Sequence, residues 1–290
     1  MAPRKRLHVL DEIVVPTDFS PRSTRAMTYA LALASRRERV TAVHAIDPLP
    51  YRFGPRESSN SIRKQTWALA QERMVRWLLE GKFSAYNSLV IEGEAAPAIV
   101  KYAAAKRPGL IVLATSARRH AARFLLGSVA EEIFREVSCP VIVLGPKVRS
   151  IKKGPPTCLL FATELEPHSI AALPQLSQMS RKLHAEVSVL RAVPGGRKSA
   201  RERDRLQVET QNGFEAAADR NIRNRTKNVT VAFAPPVKAI VAAATKLGVD
   251  AIVMGVRSGG ELPRATTHIP WTIAHRVIAE AKCPVMTIRG

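Results

Sequence analysis

The chain has 290 residues, of which 46% are apolar, and this is enough for two globular domains of ordinary size. Its 45 lysines and arginines against 24 acidic residues give a net charge of +21, which favours anionic partners such as nucleotides, nucleic acids or acidic surfaces. Three cysteines exclude a disulfide framework, their spacing matches no zinc site, and no apolar run reaches the ~20 residues of a membrane helix. Because the N-terminal segment also lacks the features of a signal peptide, we expect a cytoplasmic protein without membrane attachment.

Short strands rich in valine, isoleucine and leucine alternate with helical patterns in the first half. The strands are predicted at 12–19, 39–47, 87–93, 109–115 and 139–145. The helices are predicted at 20–37, 58–80, 96–106 and 128–137, the first with Ser20 as N-cap and Pro21 in the first helical position. This alternation is typical of right-handed βαβ units around a parallel sheet that is buried on both faces.

The second half repeats the first. "TDFSPRS" at 17–23 corresponds to "TELEPHS" at 163–169, "LIVLAT" at 110–115 to "AIVMGV" at 251–256, and "AEEIFREVSCPV" at 130–141 to "AHRVIAEAKCPV" at 274–285. A duplication is the simplest explanation. The segment 145–156, rich in proline, glycine and lysine, suits neither a strand nor a helix, so we predict two domains, 1–148 and 155–290.

Two segments of the first half reach the edge of the sheet where ligands of such folds collect. Asp18 follows the first strand, and the loop from Ala114 to Ser128 follows the fourth. Asp18 could bind a ligand or simply cap the next helix. Ser128 and Glu131 have the spacing of a capping box, so this turn either serves the helix alone or presents its free N–H groups to an anion.

The segments "VVPTDFSP", "VHAID" and "LIVLATSARRHAARFLLGSVAEEIFREVSCPVIVL" resemble a universal stress protein domain, and the two halves together resemble the tandem members of that family. The resemblance implies two tandem, doubly wound, five-stranded parallel α/β sheets of the adenine nucleotide alpha hydrolase-like type, paired as a pseudo-dimer. It further implies ATP as the ligand, with Mg²⁺ only as its companion.

Carried onto this sequence, the resemblance places a nucleotide in the first half. Asp18, after Pro16 and Thr17, is expected near the ribose and adenine, and Ala45 and Leu113 are expected to line the base. The phosphates would lie along a loop whose positions are Ala114, Ala117, Arg118, Gly127, Ser128 and Val129.

The phosphate loop departs from the family pattern in one respect. Ala114 and Ala117 stand where the family has glycines, and a methyl group there obstructs the close approach of a triphosphate to the main chain. Arg118, with Arg119 and Arg123 in the same loop, could compensate by pairing with phosphate oxygens.

The second half is a poorer candidate. Glu164 replaces Asp18, Ser258 takes the place of the second glycine, and Trp271-Thr272 replaces Gly127-Ser128. Only Gly255 of the motif is kept, and Gly259-Gly260 could at most form an anion nest.

The sequence carries no paired carboxylates, Walker loop, nucleophile elbow or metal cluster, so we expect no enzyme beyond slow ATP hydrolysis. The favoured function is a nucleotide-responsive regulator in stress response, and the alternative is a scaffold of the same fold that binds no nucleotide. Nucleic-acid binding rests on the net charge alone. In the family the last strands pair between domains, which implies an internal pseudo-dimer here, and a homodimer is a further expectation.

Three other side chains have a structural interpretation. His44 lies in an apolar strand and is expected to be a satisfied core or edge residue. Cys139 and Cys283 each precede a proline and are expected to begin a buried strand without being reactive.

Overall fold

The computed structural model describes residues 10–52, 55–83, 87–115, 127–151, 154–195, 198–256 and 269–289. These residues form two compact units. The first contains the described residues up to Thr115 and from 127 to Cys139, and the second contains those from Pro140 onward. Within the described parts of the chain, no helix is both long enough and apolar enough to cross a membrane.

The first unit is a parallel sheet with helices. Its strands are β1 (Ile13–Pro16), β2 (Val40–Ile46), β3 (Asn87–Glu92) and β4 (Leu110–Ala114), and its helices are α1 (Pro21–Leu33), α2 (Leu49–Arg52), α3 (Arg56–Glu80), α4 (Ala95–Lys106) and α5 (Ser128–Glu136). The strand order is β3-β2-β1-β4, and β1 pairs in parallel with both of its neighbours. The central strands are buried because helices cover the sheet.

The first helix begins as predicted and ends early. The Ser20 side chain accepts a hydrogen bond from the N–H of Ser23, and Pro21 occupies the first helical position. The prediction that the helix continues to Arg37 is wrong, because α1 ends at Leu33 and Ala34 is already extended. Polar and charged residues follow Ala34, so the chain has no apolar side chain with which to extend the buried face of the helix.

The second unit has the same architecture with two additional strands. Its strands are β5 (Val141–Leu144), β6 (Cys158–Ala162), β7 (Glu186–Ala192), β8 (Thr226–Ala232), β9 (Ala251–Val256) and β10 (Val285–Arg289). Its helices are α6 (Pro167–Ile170), α7 (Leu173–Leu183), α8 (Ala200–Ala217), α9 (Arg220–Arg225), α10 (Pro236–Leu247) and α11 (Ile269–Glu280). The order is β5-β10-β9-β6-β7-β8. Only β5 among these strands runs antiparallel, with Val143 opposite Val285.

The two units share a topology that confirms the predicted fold class. The order β8-β7-β6-β9 repeats β3-β2-β1-β4, and each of these neighbouring pairs is parallel. The chain is therefore a tandem α/β protein whose two halves share the same strand order and the same parallel connections.

Candidate functional site

The carboxyl ends of β1, β2 and β4 lie at one edge of the sheet in the first unit. β1 pairs with β2 on one side, where Pro16 lies beside Val43, and with β4 on the other, where Val14 lies beside Ile111. The winding direction reverses between these two neighbours, which leaves a crevice outside the ends of β1 and β4. Asp18, just after β1, therefore lies at this crevice.

Asp18 lies in a tight turn that also begins α1. Its Oδ1 accepts hydrogen bonds from the hydroxyl of Ser23 at 2.6 Å and from the backbone N–H of Ser20 at 3.0 Å. Its Oδ2 lies 3.7 Å from Nη2 of Arg22, and the side chain is 62% exposed. Asp18 thus stabilises the start of the helix, while its exposed carboxylate can still accept a hydrogen bond from a ligand.

The environment of Asp18 keeps it ionised. Burial raises the pKa of this carboxyl, but hydrogen bonds from Ser20 and Ser23 and the charge of Arg22 together hold the pKa below its ordinary value. The group is therefore anionic at neutral pH and can act only as an acceptor.

The same turn aims an aromatic ring at the second strand. Thr17 donates its N–H to the carbonyl of Val43 at 2.9 Å and accepts from the N–H of Phe19 at 3.0 Å, which holds Phe19 at a left-handed φ of 64°. The ring of Phe19 lies over that of His44, with 4.3 Å between centroids, and the guanidinium of Arg73 lies 5.0 Å from the Phe19 ring. Aromatic, imidazole and cationic groups are thus brought together beside Asp18.

A cavity of about 270 Å³ opens between the end of β2 and helix α3. Ala45, the predicted base-lining residue, contributes to its wall together with Thr66 and Arg73. Its apolar side includes Ile46, which packs in a buried cluster with Ala70. The cavity therefore combines an apolar surface with a cation, which suits a flat heterocyclic group.

His44 should make the protein less stable in mild acid. Burial lowers the pKa of this imidazole, and the charge of Arg73 lowers it further. The contact of Nδ1 with the Thr17 carbonyl at 2.8 Å and the charge of Asp18 raise the pKa, but by less. The unfolded chain then takes up a proton more readily than the native one, so stability falls as the pH drops below about 6.5. In His44→Asn, unfolding by denaturant at pH 5 to 7 should show a flatter pH profile. Exposed His184, replaced by Asn, is the control, and an equal flattening there would contradict the assignment.

The end of β4 brings a buried hydroxyl to the crevice. Leu113 is buried and Ala114 is half-buried. Thr115 is 4% exposed, and within the described part of the chain its Oγ1 has no hydrogen-bond partner. A buried hydroxyl without a partner is costly, so a ligand group that reached it would gain a hydrogen bond. Ala117 and Arg118 lie outside the described residues.

The predicted capping box at the start of α5 is wrong. The N-cap is Gly127, with φ of 92° and ψ of 137°, and no side chain caps the helix there. Only glycine adopts this backbone conformation without strain, so Gly127 takes the N-cap position and Ser128 is the first helical residue. The Ser128 hydroxyl therefore lies one position past the N-cap, where it cannot cap the helix. Ser128 and Val129 are exposed in the first turn. The helix start thus offers backbone N–H groups that an anion can bind.

The second unit repeats the turn but uses it differently. Oγ1 of Thr163 accepts from the N–H of Leu165 at 3.0 Å, and Leu165 has φ of 62°, as in the first unit. Thr163 donates its hydroxyl to Ser169 at 3.0 Å. Glu164, the counterpart of Asp18, lies 3.6 Å from Nε2 of His168. Glu164 thus lies near a basic side chain four residues later, as Asp18 does, but the serine of the helix is bonded by Thr163 rather than by the acid.

The glycine kept from the family motif in the second half has a packing role. A Cβ on Gly255 would lie 2.5 Å from Cα of Ser169 and 2.8 Å from the carbonyl oxygen of His168. The backbone of α6 therefore lies directly on the end of β9, where only glycine fits. Ser258 and Gly259-Gly260 lie outside the described residues, as do the side chains of Trp271 and Thr272.

Cys283 should not react in the folded protein. Burial raises the pKa of its thiol to about 12, whereas a free cysteine ionises near pH 8.5. The thiolate is therefore scarce at neutral pH, in agreement with the structural role expected for Cys283. At pH 8 a maleimide or aromatic disulfide reagent should leave the Cys283 peptide unlabelled in native protein and label it fully in denaturant. Rapid native labelling, measured by peptide mass spectrometry, would contradict this prediction.

Three residues of this edge were not predicted from the sequence. Thr115 directly follows β4, so its place at the end of a strand could have been used to predict it. Phe19 and Arg73 belong to no recognisable motif, and the contact between them depends on how α3 packs against β2. Within the described part of the chain, no group of three metal-ligating side chains occurs.

Both halves of the chain match the model of the universal stress protein family, at residues 10–145 and 159–289. A universal stress protein of Methanocaldococcus jannaschii is 31% identical over 138 residues, covering 46% of this chain and 81% of that protein. One from Thermus aquaticus is 26% identical over 133 residues, covering 46% and 96%. A solved universal stress protein from Archaeoglobus fulgidus DSM 4304 superposes with a TM-score of 0.66 at 16% identity, covering 96% of this chain and 98% of that one. This last likeness concerns the fold.

Proposed function

This chain belongs to the universal stress protein family, and from that premise we propose that its first unit binds an adenine nucleotide, ATP, and acts as a nucleotide-responsive regulator in stress response. The observation that carries the proposal is the start of α5. Because the N-cap is Gly127, no side chain caps the first turn of that helix, and its backbone N–H groups are free to bind an anion. The helix follows β4, whose carboxyl end lies at the edge of the sheet where ligands collect.

The remaining polar groups of this edge suit the other parts of the nucleotide. In our proposal the base enters the cavity at Ala45 and Arg73, where an aromatic heterocycle can lie against a guanidinium. The ribose hydroxyls donate to the exposed carboxylate of Asp18, which is anionic at neutral pH. The phosphates accept from the backbone N–H groups that follow Gly127, and the hydroxyls of Ser128 and Thr115 are further donors.

The alanine at position 114 remains the main obstacle to tight binding. Ala114 is half-buried at the end of β4, so its methyl group narrows the approach of phosphate to the main chain. We propose that binding survives because the open helix start provides donors that do not depend on position 114. We therefore expect a lower affinity for ATP than a loop with glycine at this position would give.

The experiment is to identify what the protein carries and then to titrate it. Mass spectrometry of the denatured, purified protein should reveal ATP or ADP, and calorimetric titration with ATP and Mg²⁺ should give saturable heat. GTP serves as the matched ligand that differs only in its base. Neither co-purified nucleotide nor heat at sub-millimolar protein would overturn the proposal and favour the scaffold of the same fold.

Two aspects of the organisation also remain proposals. We propose domain limits of 1–148 and 155–290, supported by family matches that leave only 146–158 between them. These limits make β5 the last strand of the first half, so we also propose that its antiparallel pairing with β10 joins the two halves, and that the pair already satisfies the edge strand that a homodimer would otherwise cover. Sedimentation of the purified protein as a monomer at micromolar concentration would support this, and a stable dimer would contradict it.

A further inference from the structure

The second unit contains a groove of about 820 Å³ between helices α10 and α11. Its floor is apolar: Val237 is buried, and Val241 and Ile273 are half-buried. Two consecutive prolines, Pro235 and Pro236, bound it at the start of α10 and fix the direction of the chain there. A half-buried apolar floor on a helix pair is a surface that a partner can cover.

The rim of this groove is strongly basic. The cationic side chains that line it are those of Lys147, Lys238, Lys246, Arg276 and Lys282. Glu280 is the single acidic residue of the described lining, and its Oε1 lies 3.9 Å from Nη2 of Arg276. Five cations against one acid leave an excess positive charge of four around an apolar floor.

We propose that this groove binds an acidic amphipathic segment of a partner protein, with its apolar side chains on the floor and its carboxylates at the basic rim. A helical segment is about 10 Å wide and would lie along the pair α10 and α11, as amphipathic helices lie in grooves elsewhere. The site is in the second unit, so it is independent of the nucleotide proposed for the first.

The other classes of occupant fit less well. A second copy of this chain carries the same net charge of +21 and is repelled from a basic rim. Single-stranded nucleic acid would use the cations, but the described lining contains no aromatic side chain on which a base could stack, and its floor is apolar. An acidic amphipathic segment uses both the charge and the floor.

The test is fluorescence anisotropy with a labelled probe peptide of about 18 residues, glutamate on one helical face and leucine on the other. A peptide of the same composition in scrambled order and a labelled oligothymidine of similar length are the control probes. We expect the amphipathic peptide to bind at least about tenfold more tightly than the scrambled one. Lys238→Glu with Lys246→Glu should weaken it by about tenfold or more.

The matched control reverses two exposed lysines on the corresponding helix of the first unit, Lys101→Glu with Lys106→Glu. This variant has the same net charge as the groove variant and should bind the probe within about twofold of wild type. Val241→Ser leaves the charge unchanged and should weaken binding several-fold because it removes part of the floor, with circular dichroism confirming the fold.

Four results would overturn the proposal. Equal loss in the two charge-reversed variants would show attraction to the whole basic protein. Tighter binding of the oligothymidine, lost in the groove variant, would assign the groove to nucleic acid. Unchanged affinity in Val241→Ser would show that the apolar floor takes no part in binding. No binding of the amphipathic peptide would show that the groove is not a site for such a segment.

Discussion

Gly255→Ala is expected to lower the free energy of unfolding of the second unit by about 3 kcal/mol. The added methyl group would meet two backbone atoms of α6, Cα of Ser169 at 2.5 Å and the carbonyl oxygen of His168 at 2.8 Å. Backbone atoms cannot rotate away as a side chain can, so the cost lies at the upper end of the roughly 1–3 kcal/mol range for overpacking. Hydrogen exchange of the amides in β6 and β9 should report the loss locally.

The first unit provides the matched control, because Ala114 occupies the corresponding position of β4. Ala114→Gly removes a methyl group and should cost only about 0.5–1 kcal/mol through the greater freedom of the unfolded chain. If Gly255→Ala were as stable as wild type, α6 would not lie on β9. The motif glycine of the second half would then need another explanation, such as a role in an anion site.

Asp18→Ala is expected to weaken ATP binding at least about tenfold. A hydrogen bond to a charged group contributes roughly 1.5–3 kcal/mol, and 1.4 kcal/mol is a factor of ten in affinity. The substitution also removes the acceptor for Ser20 and Ser23, so about 1 kcal/mol of stability should be lost with it. Titration calorimetry well below the unfolding temperature measures the affinity separately from that loss.

Two variants distinguish a binding role of Asp18 from a purely structural one. Asp219→Ala removes a comparable cap in the second unit, where Oδ1 of Asp219 accepts from the N–H of Ile222 at 2.8 Å, and it should leave ATP affinity unchanged. Asp18→Asn keeps an oxygen for Ser20 and Ser23 but loses the charge, so its affinity should be intermediate. If ATP bound Asp18→Ala and wild type equally well, Asp18 would serve only the helix.

The sequence predicted the strands of the first half and the tandem parallel α/β fold class well, because those signals are local. Apolar runs separated by helical patterns recur in both halves, although one strand, β8, has the largely polar sequence TKNVTVA. Ser20 and Pro21 begin α1 through contacts within a single turn. The end of α1 was placed too late, because helix propensity alone does not reveal where the buried face stops.

The site was only partly predictable. Asp18 and the start of α5 follow from the rule that ligands collect at the carboxyl ends of parallel strands. The N-cap at Gly127 could not be read from the capping pattern, because "GSVAEE" allows the helix to begin from either the glycine or the serine and only the entering backbone decides. The meeting of Phe19, His44 and Arg73 depends on three elements that are separate in the chain.

The sequence by itself determined that the chain is a duplicated α/β protein, since periodicity, turn residues and repeats act between near neighbours. Only the tertiary structure decided that Gly255 is held by the backbone of α6, that Thr115 has a buried hydroxyl, and that basic side chains from four parts of the second unit surround one apolar floor. Those features arise from contacts between residues far apart in the chain, where close packing, which no local pattern encodes, selects the neighbours.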